Sequence, residues 1–203
     1  MGHLNDLSLV QLIIETGIHD AIAKKLNAKG KLSNKAVAEG IVNNVRSTII
    51  REQLTDPRFY SEMSRLLNDL IAQRAAETLS YEAFLLQAEA LVRQLAAKAP
   101  SAGLPAELHG KPEAAVLYNN LSSILNTPAN DLPMAAEPTV FSGDELLRLA
   151  LRIDVAMREQ AQAGWKGDET KQRLVQNFLF LLLDKNRPAT AALFELVKNQ
   201  AGY

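Results

Sequence analysis

In the stretch TDPRFYSEMSRLLNDLIAQRA, Thr55 to Ala75, acids, bases, hydroxyls and aromatics alternate over about six helical turns. Asp56, Glu62 and Asp69 are residue types that act as general acids or metal ligands. Arg58, Arg65 and Arg74 are types that hold phosphate. Spacing decides between chemistry and scaffold here. Tyr60, Met63, Leu67, Leu70 and Ile71 follow the three-four rhythm of one buried helix face. Glu62, Arg65, Asp69 and Arg74 then fall on a solvated or docking face, with no partners spaced for catalysis.

Other candidate constellations are equally incomplete. His3, His19 and His109 are scattered, and none has the i, i+4 spacing that aims two rings at one metal from a helix. AKGKLS, Ala28 to Ser33, imitates a phosphate loop, but Lys25 stands where its first glycine belongs and Leu32 where the magnesium-binding hydroxyl should follow the lysine. It reads as a lysine-rich surface turn. Lys24, Lys25, Lys29, Lys31 and Lys35 still make the densest basic cluster in the chain, and the first candidate for a phosphate-contacting face. In DETK, Asp168 to Lys171, Glu169 and Lys171 imitate half of a nuclease signature. Residues two apart on a helix point about 200° from each other, so they cannot converge on one magnesium ion, and Asp168 is more simply an N-cap. GWKG, Gly164 to Gly167, resembles the GxxG loop of KH modules, which needs a sheet to complete its groove. Gly164 reads better as a helix terminator. Trp165, the only tryptophan, either packs in the core or anchors a partner. No G-x-S-x-G elbow occurs.

The elements that carry these residues are helical throughout. Val37, Ile41, Val45 and Ile49 form one stripe behind a cap at Asn34. Asp56 followed by Pro57 starts the next helix, because proline's missing donor costs nothing in the first turn. Phe84, Ala88, Leu91 and Leu95 follow a cap at Ser80. Lys98 to Pro112 and Asn126 to Glu145 concentrate prolines and glycines around a helix near 113–125. Ser142 and Glu145 make a capping box ahead of Leu146, Ala150, Ile153 and Met157. RLVQNFLFLLL is apolar nearly all round and predicts the most buried helix, and a last helix covers roughly Ala189 to Gln200. The expectation is an all-α, irregular bundle of about seven to eight helices with no sheet. Its parts are a helical 1–98, a connector 99–142 and a helical 143–203, together forming one compact domain.

Bulk composition narrows the function classes. The chain has 203 residues, 47% of them hydrophobic and 5% aromatic, so its core is built mainly from Leu, Ile, Val and Ala. At this length a core needs no metal or disulfide staple. A formal charge of −1 gives no global attraction to DNA or anionic lipid, although a local basic face remains open. The absence of cysteine removes thiolate chemistry and cysteine-ligated zinc, and fits a reducing compartment. The N-terminus has no secretory pattern, and the longest apolar run, FLFLLL, is far short of the roughly 20 residues a membrane span needs. The expectation is a soluble, cytoplasmic protein, with MGH a possible cloning remnant on a piece of something larger.

One family resemblance runs through these elements. Asn43-Asn44-Val45-Arg46, then Pro57, Phe59, Tyr60, Met63, Ser64, Leu66 and Leu67, then Tyr81, Phe84 and Leu85 resemble the C-terminal helical region of the restriction (R) subunit of type I restriction–modification enzymes. LYNNL (Leu117 to Leu121), GWKGDETK and the closing LFELVKNQAGY match further motifs in the family's order. Asp168 replaces the family's usual asparagine, and Asn126 to Val140 departs from its pattern. The resemblance implies a parent chain several times longer, with a nuclease and an ATP-driven, Mg2+-dependent DNA translocase that are not in these residues. It implies a non-catalytic assembly domain with no cofactor of its own. That domain would dock motor and nuclease on the methyltransferase core of modification and specificity subunits, with DNA contact possible but indirect. Expected contact residues, taken as exposed, are Trp165, Lys166, Arg46, Arg51, Lys24, Lys25, Lys29 and Lys31. The alternative expectation is a nucleic-acid-binding helical module using the Lys24 to Lys35 cluster and the GWKG turn.

Overall fold

The computed structural model describes residues 7–28, 30–98, 100, 103–127 and 139–203. Among them are nine α-helices and no strand: α1 (Leu9–Thr16), α2 (Ile18–Ala21), α3 (Asn34–Glu52), α4 (Pro57–Ala75), α5 (Tyr81–Ala97), α6 (Pro112–Leu125), α7 (Gly143–Gln160), α8 (Glu169–Leu182) and α9 (Arg187–Lys198). The expected all-α class holds.

Most helix starts are written locally. Ser8 and Gln11 close a capping box on α1, the Ser8 hydroxyl accepting from the Gln11 amide at 3.2 Å while the Gln11 side chain accepts from the Ser8 amide at 2.9 Å. Gly17 at φ 83° lets the chain turn from α1 into α2, in a region that side chains avoid. Ser33, not Asn34, caps α3 by accepting from the Ala36 amide at 3.2 Å. Asn34 itself is the first helical residue. Ser80 caps α5, and Ser142 with Glu145 forms the expected box on α7.

The helices cluster into two compact units. Residues Met1–Gln53 and Phe59–Gly103 form the first unit, and Leu54–Arg58 with Leu104–Tyr203 form the second. In the first, α1 packs on α3 and α5. Its core combines Leu9, Leu12 and Ile13 with the predicted stripes Val37–Ile49, Tyr60–Leu70 and Phe84–Leu95. In the second, α6 packs against α7 and α9, and α8 against α7 and α9. Leu117, Leu121, Ile153, Met157, Leu179 and Leu193 meet at its centre.

Two further local expectations are corrected. The run RLVQNFLFLLL predicts the most buried helix, but only Val175 and Leu179 are buried in α8, while Leu174 is 49% and Leu181 66% exposed. The helix lies on its unit with one narrow face, so the apolar run at its C-terminal end is only partly covered. Gly164 does not terminate α7 either. That helix ends at Gln160 with Ala161 as its cap residue, and Gly164 sits at φ 73° in the turn that follows.

Candidate functional site

Four of the quoted motifs are joined by side-chain hydrogen bonds inside the second unit. Asp56, just ahead of Pro57, is buried, and its carboxylate accepts from Asn119 Nδ2 at 3.0 Å and from Asn120 Nδ2 at 2.7 Å. Asn120 Oδ1 accepts from the Arg58 amide at 3.0 Å, and Nδ2 also reaches the Val116 carbonyl at 2.8 Å. The LYNNL asparagines thereby clamp the TDPR turn. A buried carboxylate needs such donors, because charge without partners is costly away from water.

The closing motif ties to the same turn. Gln200 Nε2 donates to the Thr55 carbonyl at 2.6 Å, and the Gln200 carbonyl accepts from the Lys166 ammonium. The Lys166 carbonyl in turn accepts from Gln172 Nε2 at 2.7 Å. Burial lowers the Lys166 pKa below the ordinary 10.5. Lys166, expected as an exposed contact, is half-buried with its ammonium engaged inside the unit.

Trp165 is 2% exposed, which corrects the expectation that it offers surface to a partner. Its ring meets Phe194 edge-on with centroids 5.8 Å apart, and the short 3-10 turn Trp165–Gly167 sets it into the core. Among the described residues its Nε1 finds no acceptor. Asp168 caps α8 as expected, accepting from the Thr170 and Lys171 amides at 2.9 and 3.1 Å.

A second polar group of the same unit joins Tyr203 of the closing motif to residues outside the motifs. Arg158 Nε donates to both Asp154 oxygens at 3.1 Å, and its Nη2 donates to Glu113 at 2.9 Å. Tyr203 donates its hydroxyl to Asp154 Oδ1 at 2.8 Å. Burial raises the Tyr203 pKa above its ordinary value, helped by the hydrogen bond to Asp154 and that carboxylate's charge. Gly202 lies so close to Glu113 that a Cβ there would run into the carboxylate. Asp154 and Arg158 stand four apart on α7, and Asp154 interrupts the stripe between Ile153 and Met157. A carboxylate beside a core stripe is the signal that points to this group in the sequence.

The basic residues belong to the first unit. Lys24 and Lys25 lie in a π-helical turn, Ile22–Leu26, that ends with the Asn27 amide on the Ile22 carbonyl at 2.9 Å. Lys31 is exposed in the loop before α3, and Lys35 is exposed on its first turn. Lys25 donates to the Leu7 carbonyl at 2.8 Å. Arg46 is exposed on α3, and Arg51 pairs with Glu52 at 3.3 Å. Lys29 and His3 fall outside the described residues. The expected contacts are thus divided between the two units.

Arg51 and Lys98 also border a cleft of about 290 Å3 with Ser8, Gln11, Thr48 and Glu52. Glu52 accepts from the Tyr60 hydroxyl at 2.8 Å. Burial pushes the Glu52 pKa up, but the hydrogen bonds from Tyr60 and Arg51 and the charge of Lys98 outweigh it, leaving the carboxyl below its ordinary value. Among the described residues no three His, Asp or Glu side chains gather where they could hold a metal ion. No described helix is long and apolar enough to cross a membrane. No family model, curated protein or solved structure matches this chain.

Proposed function

We propose that this chain is a non-catalytic assembly domain of a type I restriction endonuclease R subunit. In that role it holds an ATP-driven DNA translocase and nuclease against the methyltransferase core of modification and specificity subunits. The observation that carries this reading is the joining of separate motifs in one network: Asp56 with Asn119 and Asn120, Thr55 with Gln200, and Gln200 with Lys166. Residues that resemble the family's signature are spent on holding a scaffold, as a docking domain requires. ATP and Mg2+ belong, in this reading, to the rest of the parent chain.

Co-purification with the cognate modification–specificity complex tests it. The expected result is co-elution of the domain with that complex. If the complex elutes unchanged, and a longer chain that includes the motor also fails to bind, the assembly role is lost.

A second reading, nucleic-acid binding, is favoured by Lys24, Lys31 and Lys35, which are exposed and have no hydrogen bond or ion pair among the described residues. It predicts DNA affinity that falls with salt, each lost lysine contact reducing the log–log slope by about 0.9. Affinity that is absent, or indifferent to salt, rules it out.

A further inference from the structure

A groove of about 450 Å3 opens on the second unit, walled by Leu125, Phe141, Leu146, Leu149, Leu182 and Leu183. Its polar lining is Glu145, Arg148 and Arg152 on α7 and Asp184 beyond α8. The two acids and two bases are not equivalent. The Glu145 carboxylate is already engaged, accepting from the Ser142 amide and hydroxyl at 2.8 Å each. Arg148 and Arg152 are exposed, four apart on one face of α7, and make no hydrogen bond or ion pair among the described residues. Two guanidinium forks one turn apart therefore stand beside the apolar lining without a hydrogen bond among the described residues, although the Arg148 charge also acts on Glu145. Each fork offers five donors in a plane that fits a carboxylate.

We propose that this groove docks an amphipathic helix from a protein partner. The helix would place leucine-type side chains in the groove and carboxylates one turn apart on Arg148 and Arg152. A helix suits the spacing, since acidic residues four apart on it are separated by about the same 6 Å as the two arginines. An apolar stripe covers the leucine walls, which a phosphate backbone would leave in water. Asp184 in the same lining selects against a partner that is acidic throughout. The proposal names a surface for the assembly role above and rests on that role only for the partner's identity.

Two synthetic helical peptides of about 18 residues test the groove directly, sharing one leucine stripe and carrying either Glu or Lys beside it. Binding to the full chain is read by fluorescence anisotropy, and its location by the methyl resonances of Leu149 and Leu182. The Glu peptide should bind about tenfold or more tightly than the Lys peptide, and R148E/R152E should invert that order. Both arginines are exposed, so circular dichroism of the double variant should match the parent. Absent binding, equal binding of both peptides, or shifts away from Leu149 and Leu182 overturn the proposal. So does self-association of the chain that R148E/R152E abolishes, which would assign the groove to a second copy. Glu-peptide binding by a chain that ignores the modification–specificity complex would keep the groove and discard the assembly role. Co-elution without peptide binding would do the reverse.

Discussion

Removing the Asn120 amide takes one donor from the buried Asp56 carboxylate and leaves the Arg58 amide without its acceptor. Asn120→Ala should therefore cost about 2–4 kcal/mol in urea unfolding, because a buried charge loses a hydrogen bond and a backbone donor is orphaned. Asn119→Ala removes a single bond from a half-buried side chain and should cost about 1 kcal/mol. Equal costs would mean that the clamp on Asp56 is not what Asn120 contributes. Tyr203 makes a prediction of opposite pH sense to a salt-bridged acid. Burial first, then Asp154, raise its pKa above the ordinary 10.0. Below about pH 10 the phenol is protonated in both folded and unfolded chains. Above it the unfolded chain ionises first, so stability falls as pH rises toward the folded value. Tyr203→Phe should lose about 1 kcal/mol at neutral pH and show a shallower alkaline decline than the parent in urea titrations across pH 9 to about 11. Of these residues, Asp56 was legible as a helix-start signal because its neighbour is proline. Its asparagine partners lie 63 and 64 positions away, and no local spacing encodes a pairing across that distance.

Helices were the most legible elements because their signals are local. The stripes of α3, α4, α5 and α7 follow from a period of 3.6, and the starts at Ser80, Ser142 and Asp168 follow from which side chains can accept an amide. Asp168 accepts from the first free amides of α8, as a short carboxylate at a helix start can. What periodicity cannot give is how much of an apolar helix its neighbours cover. On α8, Leu179 is buried while Leu181, two residues on, faces solvent. Leu179→Ala should thus cost about 2–5 kcal/mol, whereas Leu181→Gln should stay within about 0.5 kcal/mol of the parent in the same denaturation assay. A large loss from Leu181→Gln would restore the fully buried helix that the composition suggests. The same limit explains Trp165: its type signals either core or interface, and only its contact with Phe194 and the core of the second unit decides for core.

At the scale of the whole chain, the second unit is discontinuous. Its Leu54–Arg58 segment is separated in sequence from Leu104–Tyr203 by most of α4 and all of α5. A proline- and glycine-rich connector was visible near residue 100, but the membership of residues 54–58 was not, since it depends on Asp56 and Thr55 finding distant partners. Residues 104–203 expressed alone would lack Asp56, which accepts from Asn119 and Asn120, and the Thr55 carbonyl, which accepts from Gln200. They should unfold at lower urea than the same unit in the full chain, and a synthetic peptide of residues 52–60 should recover part of the difference. Identical midpoints, with no effect of the peptide, would show that the segment contributes nothing to the unit. The same separation sets a timetable during synthesis. At about 5–20 residues per second, Asp56 is made about 3–13 s before Asn120, 64 positions later. Thr55 is made about 7–29 s before Gln200, 145 positions later. Until then the TDPR turn leaves the ribosome with its carboxylate hydrated, and the second unit cannot close its polar network before its last few residues emerge.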